Sequence, residues 1–376
     1  MLLTVLLLIP QWSIAMKMES ENASLSKLVC YYSVEKTVWP LLSPLSIDPF
    51  LCTHIIVGFL TIQSGSPYIS ETQRKVCLEM KILKSKNENL NLMLSIGGLG
   101  TNGFGEMAHN ETSRKRFVAE LIAVTRSLGY DGIDIDWEFP AVGKPFHERF
   151  DFIHLLESLQ SKAYRHNLLL SVAVSGSKLI IDRSYKIQDI GRLVDFVNLM
   201  AYDFHGYKWY LPATGLNAPL FKRSSESGYL ATLNTFSAVM YWLSSGIPKE
   251  KLVVGVPTYG VTYTLASASW TDVDAPAVGY GKLWSGGQVP YPIVCTFLQN
   301  NGTRVWEPDA RVPYSYRDNQ WISYEDEESL REKVAWIRVG ELGGVMVYDL
   351  NCDDFNFICG NSTFPLINTI RDELNT

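Results

Sequence analysis

The sequence predicts an α/β chain folded as a (β/α)8 TIM barrel, with a small α+β insertion domain between the seventh strand and its helix. Two observations carry that expectation. Eight short, β-rich apolar runs alternate with segments of helical periodicity, which is the pattern of parallel strands joined by crossover helices. The stretch between the seventh and eighth runs is too long for one helix, and its first part is rich in Gly, Pro, Tyr and Trp. A third observation fixes the polarity of the interior: the fourth run carries carboxylates at alternate positions, which belongs to a strand with acid on one face.

In chain order, the runs fall at 28–32, 54–60, 92–96, 132–138, 168–174, 196–200, 252–256 and 344–348. Each is short and bounded by turn-forming or polar residues. Helical periodicity spans 72–84, 113–128, 146–166, 230–245 and 325–339. The expected division is a signal segment over 1–22, a barrel over 23–261 and 325–376, and an insertion over 262–324. No internal repeat or low-complexity stretch interrupts this plan.

Composition narrows the function classes. The chain has 376 residues, 47% of them apolar, with a net charge of -6 and no basic patch, so a nucleic-acid partner is not expected. Residues 2–9 form an apolar run followed by Ser13-Ile-Ala15, which resembles a secretory signal peptide. No later run reaches bilayer-spanning length, so a secreted, extracellular, soluble chain is expected, with monomer as the default state. Four acceptor sequons, at Asn22, Asn110, Asn301 and Asn361, fit that compartment. The six cysteines are few for this length and fit no zinc or redox spacing. They are expected to staple an existing core.

The acid row is Asp134, Asp136 and Glu138, opposed by Ile133, Ile135 and Trp137. Neighbouring carboxylates on one strand face lie about 6.6 Å apart. At that separation two full charges repel by roughly 2.5 kcal/mol at an effective dielectric of 20. The row is therefore expected to retain a proton near neutral pH, which makes a carboxyl group a general acid. The flanking Trp137 and Phe139 do not suit a hydrated Mg²⁺ or Ca²⁺ site, so neither metal nor cofactor is expected.

The run Asp131-Gly-Ile-Asp134-Ile-Asp136-Trp-Glu138 matches the Asp-x-x-Asp-x-Asp-x-Glu signature of family 18 glycoside hydrolases, the chitinases and chitinase-like lectins. The chain resembles the secreted animal branch of that family. Further matching motifs are Ser95-Ile-Gly-Gly98, Met200-Ala-Tyr202-Asp203, Gly255-Val-Pro-Thr-Tyr259-Gly260 and the run ending at Tyr348. The resemblance implies substrate-assisted hydrolysis, without an enzyme nucleophile. Glu138 would protonate the glycosidic oxygen, while the N-acetyl oxygen of the substrate attacks the anomeric carbon. Asp136 would hold the acetamido N–H, with Asp134 beneath it sharing a proton, and Tyr202 would support the acetamido oxygen. Sugar contacts are implied for Tyr31, Phe59, Gly98, Leu99, Met200, Asp203, Tyr259 and Tyr348. It also implies disulfides Cys30–Cys52 and Cys295–Cys359, leaving Cys77 and Cys352 as thiols.

The chain departs from the family where aromatic planes usually meet sugar. Leu99 stands where Trp is usual after Ser-Ile-Gly-Gly, Glu35 where a further Trp is expected, and Tyr348 in place of the Trp that floors the cleft. Val261 replaces an Arg, and Pro292-Ile293 replaces a Tyr-Glu pair. Each lost ring face removes about 0.5–1.5 kcal/mol of contact. Tyr207, Trp209 and Trp270 are candidates to substitute. The expected activity is a retaining, endo-acting chitinase on β-1,4-linked N-acetylglucosamine, that is, chitin or its oligosaccharides. The absence of a chitin-binding module after the barrel favours soluble oligosaccharides. A chitinase-like lectin without turnover, or a hydrolase of another N-acetylglucosamine-containing glycan, stands as the alternative.

Overall fold

The computed structural model describes residues 26–34 and 41–376. The expected signal segment, Asn22 and Glu35 lie outside the described residues. Eight parallel strands form the barrel: β1 Lys27–Ser33, β2 His54–Gln63, β3 Asn91–Gly97, β4 Gly132–Asp136, β5 Leu169–Ser175, β6 Phe196–Met200, β7 Leu252–Pro257 and β8 Gly344–Tyr348. Each pairs with its chain neighbours, and β1 pairs with both β2 and β8, so the sheet closes with no free barrel edge.

Alternation along each strand sorts side chains into two cores. Ile55, Val57, Leu92, Leu94, Ile133 and Ile135 point outward under the helices. Val29, Ile56, Met93, Phe196, Val253 and Met346 fill the barrel interior. Above this apolar plug the interior turns polar, because register sets Ser95 beside Asp134 and Asp134 beside Ser171.

Helices α1 Glu71–Lys86, α2 Phe104–His109, α3 Glu111–Leu128, α4 Glu148–Arg165, α5 Lys178–Ser184, α6 Ile187–Leu193 and α7 Thr235–Ser244 follow strands β2 to β6. Local chemistry starts several of them. Ser70 and Gln73 form a capping box on α1, and the Asn110 and Asn234 side chains accept the first free N–H groups of α3 and α7. That Asn234 cap explains why the segment expected to be helical from 230 begins as a separate 3₁₀ turn, Leu230–Thr232. Helices α2, α5 and α6 escape the sequence because six or seven residues hold too few turns to show a period.

A second, antiparallel sheet carries the insertion. Its central strand, Tyr259–Leu265, pairs with Ala277–Tyr280, Gln288–Pro290 and Gln320–Ser323, and the last of these continues into Val312–Arg317 and Thr303–Glu307. Helix α8, Tyr291–Gln299, lies within it. The sheet begins at Tyr259, slightly before the expected 262, because Gly260 and Val261 already pair with Val289 and Ser323. Helix α9, Glu327–Val339, precedes β8, and α10, Pro365–Leu374, closes the described chain.

Cys30–Cys52 fastens β1 to the loop before β2, and Cys295–Cys359 fastens α8 to the C-terminal segment. Both pairings are those the resemblance implied, and they fit an extracellular protein. Cys77 and Cys352 are buried outside these two bonds. Among the described residues no helix is long and apolar enough to cross a membrane.

Candidate active site

Strand β4 positions the acid row, though its ladder ends at Asp136, earlier than the expected 138. The reason is local. Gly97 pairs with Asp136, the Gly98 N–H donates to the Asp136 carbonyl at 2.9 Å, and a Cβ on Gly97 would fall 1.9 Å from that oxygen. Only glycine allows the two backbones to approach so closely. Beyond this point Trp137 turns outward to stack on Phe104, with ring centroids 5.0 Å apart, and Glu138 remains on the cleft side.

Asp134 is fully buried and held by four side chains from four other strands. Tyr31 Oη and Ser95 Oγ donate to Oδ2 at 2.9 and 2.7 Å, while Ser171 Oγ and Asn198 Nδ2 donate to Oδ1 at 2.6 and 3.3 Å. These bonds run to β1, β3, β5 and β6 and not to Asp136. Burial raises the Asp134 carboxyl above its ordinary value, and the four donors pull against that shift. Asp136, with Oδ1 buried and unpartnered, is pushed well up by burial and then by the charges of Glu138 and Asp134. Glu138 is raised to about 7, first by burial and second by the charge of Asp203. The row favours protons, but the leading cause at each carboxyl is desolvation; repulsion within the row, which the spacing predicts, acts on Asp136 alone, while Glu138 is repelled by Asp203.

Asp136 and Glu138 open into a cavity of about 390 Å³ at the carboxyl ends of the strands. Tyr31, Phe59, Gly98, Leu99, Met200 and Asp203 line it, together with Tyr202 and Tyr348. Asp134 and Tyr259 stand behind this lining. Asp134 sits in the polar layer beneath, and the buried Tyr259 donates its hydroxyl to Asp203 Oδ1 at 2.7 Å. The rings of Tyr31, Phe59, Tyr202 and Tyr259 surround Tyr348 with centroids 5.8 to 6.4 Å away, and Tyr202 stacks on it at 24°. Tyr348 thus lines the cavity within a cluster of four rings.

Several functional neighbours were not singled out from the sequence. Ser171 and Asn198 sit in ordinary-looking apolar strands, and only β4's neighbours in the closed barrel reveal them. Ser33, Thr61, Thr101, Ala173 and Gln288 add to the cavity wall, the last of them from the insertion. Asp131, outside the row, accepts the Leu92 N–H at 2.8 Å and pairs with Lys84. Val261 is buried in the second sheet, Ile293 is half-buried, and Trp209 and Trp270 are exposed. The acceptor residues Asn110, Asn301 and Asn361 are exposed. Among the described residues, the one grouping of His and carboxylate ligands close enough to share a cation lies away from the cleft, at His109, His147 and Asp151.

The model of the Glycosyl hydrolases family 18 matches residues 27–353. The chain is 37% identical over 372 residues to mouse chitotriosidase-1, covering 94% of this chain and 79% of that protein. A solved structure of human YKL-39, described as a pseudo-chitinase with retained chitooligosaccharide binding properties, superposes with a TM-score of 0.88 at 34% identity, over 93% of this chain and all of that one. A group IV chitinase of Ostrinia furnacalis superposes at 0.87 and 33% identity, with the same coverage. The chain belongs to glycosyl hydrolase family 18, in company with both chitinases and a pseudo-chitinase.

Proposed function

We propose that this chain is a secreted, retaining hydrolase of β-1,4-linked N-acetylglucosamine oligosaccharides that works by substrate-assisted catalysis. The observation that carries the reading is Glu138: a glutamate beside Asp136 on the cavity wall, with a carboxyl that holds its proton up to about pH 7. A general acid needs that poise, protonated near the working pH yet able to release.

Glu138 donates its proton to the glycosidic oxygen as the C–O bond breaks. The acetamido carbonyl oxygen of the substrate attacks the anomeric carbon, and an oxazolinium ion forms. Asp136, on the cavity wall, accepts from the acetamido N–H and stabilises the positive charge. Tyr202 supports the acetamido oxygen from the cavity wall. Glu138, now a carboxylate, takes a proton from the water that opens the ring, and configuration at the anomeric carbon is retained. Asp134 touches no substrate; it positions the row.

A lectin reading draws on Leu99, 89% exposed where a stacking plane is usual. One experiment separates the two. Turnover of a fluorogenic N-acetylchitotrioside is measured for the unmodified protein and for Glu138→Gln, with thermal protection by chitotetraose in parallel. Hydrolysis should fall by about 10²–10⁴-fold or more in the variant, with protection kept. Protection without turnover in the unmodified protein would establish the lectin, and neither would point to a different glycan.

A further inference from the structure

The sequence expects no metal because the acid row does not suit one. The fold, however, assembles a different ligand set on the outer helical layer. We propose that His109, Asp151 and His147 form a zinc-type site joining α2 to α4. His109 comes from the last turn of α2, while His147 and Asp151 sit four residues apart at the start of α4 and so share one helical face. His109 Nδ1 lies 3.1 Å from Asp151 Oδ2, His147 Nε2 lies 3.5 Å from the same oxygen, and the three ligand atoms all fall within 4.8 Å of one another. A tetrahedral zinc with ligands at 2.0–2.2 Å holds its donor atoms about 3.4 Å apart, so little adjustment is needed.

The convergence of these donors on one carboxylate argues for a shared cation. Asp151 is buried, and the partners its carboxylate shows are all imidazoles: His109, His147 and, at 4.0 Å, His154 Nδ1. A helix accounts for His147 and His154 lying near Asp151 by sequence spacing, but it does not account for His109, which arrives from a separate element and aims a ring nitrogen at the same oxygen. The rings of His109 and His147 approach to 4.5 Å between centroids, which brings both imidazoles to the same carboxylate. Two imidazoles and one carboxylate are the donors of zinc sites and poor ligands for calcium or magnesium. His154 or water is available for the fourth position.

Helix α2 follows the loop carrying Gly98 and Leu99, and α4 follows the loop carrying Glu138, so the ion would tie together the supports of two cleft loops. The test uses untagged, metal-stripped protein, with zinc binding followed by competition against a chromophoric chelator and by thermal shift. One zinc per chain and a raised Tm are expected. His109→Gln and His147→Gln, both at exposed rings, should each weaken binding at least tenfold, whereas His166→Gln, another exposed imidazole, should leave it unchanged. Calcium should give no shift. The proposal is overturned by absence of tight zinc binding, by binding that neither His109→Gln nor His147→Gln weakens, or by a calcium response equal to that of zinc.

Discussion

The layer beneath the cleft and the rim above it are built on opposite terms. Below, Asp134 is fully buried and each of its oxygens accepts from two side chains, contributed by four different strands. Above, Leu99 is 89% exposed at the end of β3. A change in the lower layer leaves buried donors unpaired, while a change at the rim exchanges one solvated surface for another. The buried carboxylate is thus over-determined by the barrel, and the cavity rim is free to vary without loss of fold. This is how a chain can keep every carboxylate of its signature while losing several aromatic planes.

The sharpest way to break that comparison is Asp134→Ala. Four buried donors lose their acceptor, and the expected cost is about 3 kcal/mol of unfolding free energy, read by urea titration. Leu99→Ala should stay within about 0.5 kcal/mol. Equal effects would show that the lower layer is no more constrained than the rim.

A smaller effect tests the electrostatics at the junction of the two regions. Glu138 has a folded pKa of about 7 against an ordinary value of 4.5, so the fold favours its neutral form. Its contribution to stability is fully present below pH 4.5 and is lost as pH rises toward about 7. The unfolding free energy of the unmodified protein should therefore fall relative to that of Glu138→Gln across this window and run parallel to it outside. The comparison with the variant cancels buried carboxyls that Glu138 does not act on, including Asp353, which is also raised to about 7. A constant difference at all pH values would mean that Glu138 titrates normally.

How much of this was legible beforehand depends on the range of the contacts. Asp134, Asp136 and Glu138 declared themselves because a strand has period two and the residues are adjacent in sequence. The eight strands did so because parallel strands buried on both faces read as apolar runs. Ser95, Ser171 and Asn198 were not legible as the seat of Asp134, since they reach it across 39, 37 and 64 residues, and only the side-by-side pairing of β3 to β6 brings them together. His109, His147 and Asp151 stayed hidden for the same reason: one helix too short to be periodic brings in the first ligand. The place of Tyr259 was misleading in a further way, because its motif marks it as cleft-facing while the fold seats it behind Asp203.

The finest test restores a plane at the rim. Leu99→Trp places an indole on an exposed position that already borders the cavity, beside Gly98 and opposite no buried neighbour that would have to move. Stacking on a sugar face is comparable to an aromatic pair, worth about 0.5–1.5 kcal/mol, or about two- to twelvefold in affinity. If the rim is limiting, KM for a chitotetraose substrate should fall by that factor while kcat holds, because the indole would contact bound and reacting sugar alike. A rise in kcat would instead mean that the plane acts on the transition state, and the division between a fixed acid layer and a variable binding rim would have to be redrawn one residue closer to Glu138. No change in either constant would show that the cavity already has a substitute platform, for which Phe59, on the cavity lining, is the first candidate to mutate.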